Sequence, residues 1–100
     1  MGTVDTTLEE EAETIFSNLG YTVTEHGGEF RAERKWRVVQ VTPMAEPAEP
    51  PVSGEYRCFV TWADQTTALE RRLERENPDY DWAIIGIRDG EEYVVQRCRR

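Results

Sequence analysis

Prolines are concentrated in one short part of the chain, and this concentration limits what the rest can fold into. Four of the five prolines lie within residues 43–51. Proline has no backbone N–H to donate, so neither a helix nor an interior strand is expected to cross this part of the chain. The stretches before residue 43 and after residue 55 are 42 and 45 residues long, a length at which a separate hydrophobic core is marginal. We therefore expect one domain over residues 1–100, with 43–55 as an exposed proline-rich loop inside it.

The half before the loop has the pattern of one helix followed by three strands. Apolar residues from Leu8 to Leu19 recur at helical spacing, Thr7 is a suitable N-cap and Gly20 a suitable C-cap, which predicts a helix over 7–19. Alternation of apolar and polar residues then indicates a hairpin and a third strand. The predicted strands are 21–25, 30–33 and 36–42.

The half after the loop also has the pattern of one helix and three strands, in a different order. Its pattern predicts a strand, a second helix that ends before Pro78, and a closing hairpin with Asp89-Gly90 at its turn. The predicted elements are a strand at 56–62, a helix at 68–76, and strands at 82–87 and 93–98. The order α-β-β-β-loop-β-α-β-β predicts an α+β fold, a single two-layer domain in which both helices pack on a mostly antiparallel sheet.

The charge composition is unusual. The chain has 20 acidic and 12 basic residues, a formal net charge of -8, and Lys35 is its only lysine. Repulsion among so many carboxylates lowers the stability of a compact state in dilute salt, and molar salt screens this repulsion. In this respect the sequence resembles the small, acidic, lysine-poor and uncharacterised proteins of haloarchaea. The resemblance implies a halophilic cytoplasmic protein and carries no activity with it.

The same composition disfavours two classes of partner. Phosphates are repelled by a strongly acidic chain, so nucleic acid is not an expected partner. No stretch approaches the roughly 20 apolar residues that cross a bilayer, so no membrane association is expected. Arg97, Arg99 and Arg100 form a small basic end, and they are the candidate interaction residues.

Motifs for catalysis and for cofactor binding are missing from the sequence. His26 is the only histidine and falls in a predicted Gly-Gly turn, while Cys58 and Cys98 are far apart and each falls in a predicted strand. No spacing suits a metal site, a phosphate-binding loop or a nucleophile elbow. We therefore expect no cofactor and no metal.

One longer pattern resembles a known family. A helix, a hairpin and then the strand that starts at Trp36 resemble, over residues 7–42, the opening of restriction-endonuclease-like domains. The resemblance implies a metal-binding acid at Glu29 or Glu33 and a second ligand at Gln40, which together would polarise the attacking water. Thr42 stands where that family has a lysine, so a degenerate relative is implied.

Two functions therefore remain open. The favoured interpretation is a non-catalytic protein-binding or assembly module that presents a sheet surface or edge to an unidentified protein partner. The alternative is a degenerate restriction-endonuclease-like domain, nucleic-acid-associated or enzymatic, that uses Glu29, Glu33 and Gln40.

Overall fold

The computed structural model describes residues 8–26, 29–45, 50, 56–88 and 93–97, and within them the chain forms two α-helices and six strands. The helices are α1 (Leu8–Asn18) and α2 (Thr66–Glu76), the second preceded by a 3-10 turn at Ala63–Gln65. The strands are β1 (Thr22–His26), β2 (Glu29–Arg34), β3 (Arg37–Pro43), β4 (Tyr56–Trp62), β5 (Asp81–Ile87) and β6 (Tyr93–Arg97). The predicted α+β class and order of elements are confirmed. Neither helix is long and apolar enough to cross a membrane.

All six strands belong to one open sheet, in which neighbours along the chain are also neighbours in space. The pairs β1–β2, β2–β3 and β5–β6 are antiparallel, whereas β3–β4 and β4–β5 are parallel. A parallel pair needs a connection that runs back along the strands. Helix α2 lies in the connection between β4 and β5, and the proline-rich segment lies in the connection between β3 and β4.

Described residues of the proline-rich segment contact the rest of the fold. Pro43 is the last residue of β3 and pairs with Val60 of β4. The backbone N–H of Met44 donates to the carbonyl oxygen of Val60 at 2.8 Å, and the Met44 side chain packs against an apolar cluster of the core. Pro50 is buried. Most of the segment lies outside the described residues, so the exposed loop over 43–55 stays a prediction.

One helix packs on each face of the sheet. Along β4, Cys58 and Val60 face α1, whereas Phe59 faces α2, because successive side chains of a strand point to opposite faces. The buried core on the α1 side consists of Leu8, Ala12, Phe16, Phe30, Ala32, Val39, Val41, Cys58, Val60, Ala83, Ile85 and Ile87. The buried core on the α2 side consists of Phe59, Leu69, Leu73, Tyr80, Trp82 and Ile84.

The position of α2 differs from the two-layer arrangement that the sequence predicted. The helices form separate layers on opposite faces of the sheet, so the order of layers is helix, sheet, helix. Strands β4 and β5 are buried on both faces, as expected for parallel strands, and both of their faces therefore need cover.

The buried thiol of Cys58 is part of the α1-side core. Burial raises its pKa to about 12, so the thiolate is strongly disfavoured in the folded protein. Cys98 lies outside the described residues.

Gly86 allows the start of α2 to lie close to β5. A Cβ atom on this residue would overlap with Cγ2 of Thr66 and would lie 3.2 Å from Cα of Ala63. Thr66 is held in place because its hydroxyl donates to the carbonyl oxygen of Ala63 at 2.9 Å. The glycine is therefore needed for close packing and not for an unusual backbone conformation.

We expect Gly86→Ala to lower the free energy of unfolding by about 1–3 kcal/mol, because the added methyl overpacks a closed interface. Urea denaturation would measure the loss. The double variant Gly86→Ala/Thr66→Ser is the matched control, since serine keeps the hydroxyl and removes Cγ2. It should lose less stability than the sum of the two single variants, and strict additivity would contradict this explanation.

Candidate interaction surface

Strands β1–β3 have one face that neither helix covers. Phe30, Ala32, Val39 and Val41 of these strands are buried against α1, so the alternate residues face the other way. Helix α2 packs there against β5 and leaves most of the face of β1–β3 uncovered, although Thr42 at its border is buried. We call this surface the open face, and it consists of Thr22, Thr24, Glu29, Arg31, Glu33, Val38, Gln40 and Thr42.

A buried arginine lies where the open face meets the α2-side core. Arg57 of β4 is only 8% exposed. Its Nη1 donates to Glu29 Oε2 at 3.2 Å and lies 3.5 Å from Thr42 Oγ1, while the hydroxyl of Thr42 donates to the same carboxylate oxygen at 2.9 Å. The guanidinium also lies 5.6 Å from the ring centroid of Tyr80. Glu29, Thr42, Arg57 and Tyr80 thus form one polar cluster.

This cluster balances a charge that would otherwise be costly to bury. A guanidinium removed from water needs a charged partner and hydrogen bonds, and Glu29 supplies the opposite charge from the next strand but one. The Tyr80 ring adds a cation–π contact. Burial raises the pKa of the Tyr80 hydroxyl above its usual value, while the positive charge of Arg57 acts in the opposite direction.

The three residues that the restriction-endonuclease-like resemblance singled out all lie on the open face. Glu29 is bound to Arg57, and Glu33 forms an ion pair with Arg31 in which Nε and Oε1 are 3.2 Å apart. Gln40 lies between Arg31 and Arg57 in the strand register. Each therefore has at least one arginine as a partner or register neighbour, and the described residues contain no group of three that could hold a metal ion.

The other predicted candidates fall where the structure gives little or no description. Arg97 is the last residue of β6, and its side chain is outside the described part, as are Arg99 and Arg100. His26 ends β1, and its side chain is not described either. The expected basic end therefore stays a prediction.

The turn between β2 and β3 carries a feature that the sequence analysis missed. Strand β3 starts at Arg37 and not at the expected Trp36, so Trp36 lies in the turn and is 92% exposed. Arg34, Lys35 and Arg37 surround it, and all are exposed. We call these four residues the tip cluster. The signal is present as the tetrapeptide Arg-Lys-Trp-Arg, but the valines that follow it favour a strand that starts at Trp36.

The tip cluster combines backbone strain, charge and apolar surface. Lys35 has a φ of 58°, a left-handed conformation that costs a non-glycine residue about 1–2 kcal/mol. Three cations lie within four residues, and no ion pair between described residues includes them. The Arg34 side chain passes Gly20, next to Leu19 at the end of α1, which is itself 46% exposed.

A shallow cleft lies at the carboxyl ends of the parallel strands. It measures about 660 Å³, and Trp62, Asp64 and Arg88 are among its lining residues. Ligands of open α/β sheets commonly bind at such ends. This cleft is wide open to solvent and has charges of both signs, so its geometry selects no particular ligand.

Comparison with known proteins identifies a family but no activity. The model of a family of unknown function, DUF7116, matches residues 9–96, and the chain belongs to this family. No curated protein and no solved structure matches the chain. The resemblances to haloarchaeal proteins and to restriction-endonuclease-like domains therefore remain predictions.

The cluster around Arg57 predicts an asymmetry between two ion pairs on the open face. Glu29→Gln removes a charged partner of the buried Arg57 guanidinium and should lower the free energy of unfolding by about 1–3 kcal/mol. Glu33→Gln is the matched control, because its pair with Arg31 is about half exposed and should contribute less than about 1 kcal/mol. Chemical denaturation of both variants would compare them, and equal losses would contradict a structural role for Glu29.

Proposed function

We propose that this member of a family of unknown function is a non-catalytic protein-binding module, and that the tip cluster is its contact with the partner. The observation that carries the proposal is the 92% exposure of Trp36 in the turn between β2 and β3. Tryptophan is seldom this exposed in a folded domain, because its ring contributes more than any other side chain to apolar burial. The exposure of this indole is explained if a partner protein buries it on binding.

The composition of the tip cluster indicates the chemistry of that partner. Tryptophan and arginine are the residues that most often dominate the binding energy of protein interfaces. Trp36 suits an apolar pocket, and the charges of Arg34, Lys35 and Arg37 suit carboxylates at the rim of that pocket. The partner we propose is therefore an acidic protein surface with a pocket wide enough for an indole.

Nucleic acid is a weaker explanation for the same residues. One aromatic ring and three cations could hold a base and its flanking phosphates. However, the chain as a whole carries a net charge of -8, which opposes the approach of a polyanion. The tip cluster is also centred on a short turn between two strands, which suits a pocket better than an extended strand of nucleotides.

A degenerate restriction-endonuclease-like activity has less support than binding. A metal ion would require the Glu29 carboxylate, to which Arg57 and Thr42 already donate hydrogen bonds. Gln40 would have to bind the same ion from between two arginines in the strand register. Their positive charges oppose a divalent cation at this place.

Removal of the indole tests the proposed contact. Trp36→Ala should weaken capture of the partner from an extract of the source organism at least about 30-fold, the effect expected for an interface hot spot of 2 kcal/mol. The capture would use the tagged full chain, quantify each bound protein, and then measure affinity with the purified partner. Arg34→Ala and Arg37→Ala should also weaken binding, and more so at low salt.

Thr24→Ala is the matched control, because Thr24 is exposed on the open face and lies outside the tip cluster. It should bind like the unmodified chain. Equal loss in both variants, or capture that does not respond to Trp36→Ala, would contradict the proposal. A fluorescent oligo(dT) or oligo(U) strand serves as a second probe. Binding of this strand that depends on Trp36 would indicate that the partner is a nucleic acid and not an acidic protein.

The acidic composition supports a second part of the proposal, that the protein works in a halophilic cytoplasm. We expect its melting temperature to rise as potassium chloride increases from about 0.1 M to about 2 M, because salt screens carboxylate repulsion and strengthens apolar burial. Calorimetry would measure the rise. Glu13→Gln/Glu74→Gln removes two exposed charges and should reduce it, and a flat or falling melting temperature would contradict the halophilic assignment.

A further inference from the structure

Strands β1 and β6 are the two edges of the sheet. Each therefore has backbone N–H and C=O groups on its outer side that no other strand of this sheet pairs. Proteins usually protect such an edge with charged side chains, prolines, bulges or a covering element, because an open edge pairs readily with another strand. The two edges of this chain differ in this respect.

The edge at strand β6 is the less protected of the two. Tyr93 and Val95 pair with Ile87 and Ile85 of β5, so they lie on the same face as α1, yet they are 38% and 50% exposed. The five residues of β6 include no proline, lysine or carboxylate. Within the part of the chain that the structure describes, nothing lies along its outer side.

The opposite edge has a different character. Strand β1 contains Glu25, and its exposed Thr22 and Thr24 are polar. Little apolar surface is available there. Of the two edges, only that of β6 combines unpaired backbone groups with exposed apolar side chains.

We propose that β6 pairs with β6 of a second copy of this chain, in antiparallel orientation about a two-fold axis at Val95. This register places residue 95 opposite its own copy and residue 93 opposite residue 97. Tyr93 then faces an arginine position, and no like charges lie directly opposite each other. The pairing joins two six-stranded sheets into one continuous sheet of twelve strands.

Charge supports a second copy at this place. The chain has 20 acidic residues, so most of its surface repels another copy, whereas β6 contains none of them. The two copies of Arg97 would lie at opposite ends of the joint, separated by about 14 Å along the strands. A two-fold contact through identical strands also closes on itself and stops at the dimer.

Sedimentation of the full chain tests the proposal. In reducing buffer at about 1 M potassium chloride, a dimer of twice the 11.6 kDa chain mass should appear between about 1 and 200 μM. Val95→Lys should raise the dimer dissociation constant at least tenfold, because it places two ammonium groups opposite each other at the axis. Thr24→Lys adds the same charge at the other edge and should leave the dimer unchanged.

A cysteine at the axis makes the test specific for this register. Val95→Cys in a Cys98→Ser background should form a covalent dimer on mild oxidation, since directly opposed residues have Cβ atoms about 4.5–5.5 Å apart. Thr24→Cys in the same background should not. A monomer at all concentrations, or a dimer insensitive to Val95→Lys, would overturn the proposal. Trp36→Ala should remain dimeric, which separates this result from that of the tip cluster.

Discussion

The burial of β4 on both faces is the constraint on which the rest of the fold depends. Five consecutive residues of this strand, Arg57 to Thr61, are buried, and both neighbouring strands run parallel to it. Each face needs its own cover, so α1 and α2 must lie on opposite sides of the sheet. Parallel pairing on both sides in turn requires two long connections, and these are the proline-rich segment and the segment that contains α2.

The same strand explains why a charged residue lies inside the domain. Arg57 faces α2, at the place where the apolar cover from that helix ends and the open face begins. The arginine stem can pack beside Tyr80 while its guanidinium binds Glu29 and Thr42 at the border. The ion pair and the Thr42 hydroxyl thus link β2, β3 and β4 on the part of the α2-side face that this helix does not cover.

Local patterns predicted most of the elements, because capping and alternation are properties of a few adjacent residues. The predicted helix at 7–19 and strand at 56–62 agree closely with α1 and β4. The placement of α2 was missed because it depends on strand direction, and a buried strand such as β4 reads the same in a parallel or an antiparallel pair. The sequence predicts Glu29 only as a candidate metal-binding acid. Its partner Arg57 is 28 residues away, and no rule of local spacing predicts a contact between the two. Trp36 was assigned to β3 because an aromatic residue beside valines fits a strand, and only the turn at Lys35 reveals its exposure.

The sequential order of the strands has a consequence for how the chain reaches its structure. The antiparallel pairs join segments that are close along the chain, so they can form by local closure on a microsecond timescale. The two parallel joints of β4 instead require closure across the longer connections that contain Met44 and α2. The ends of a long connection must come together, at a cost in chain entropy, before the strand contacts that stabilise the closed arrangement can form. We therefore expect the docking of β4 between two preformed antiparallel units to set the folding rate of this domain.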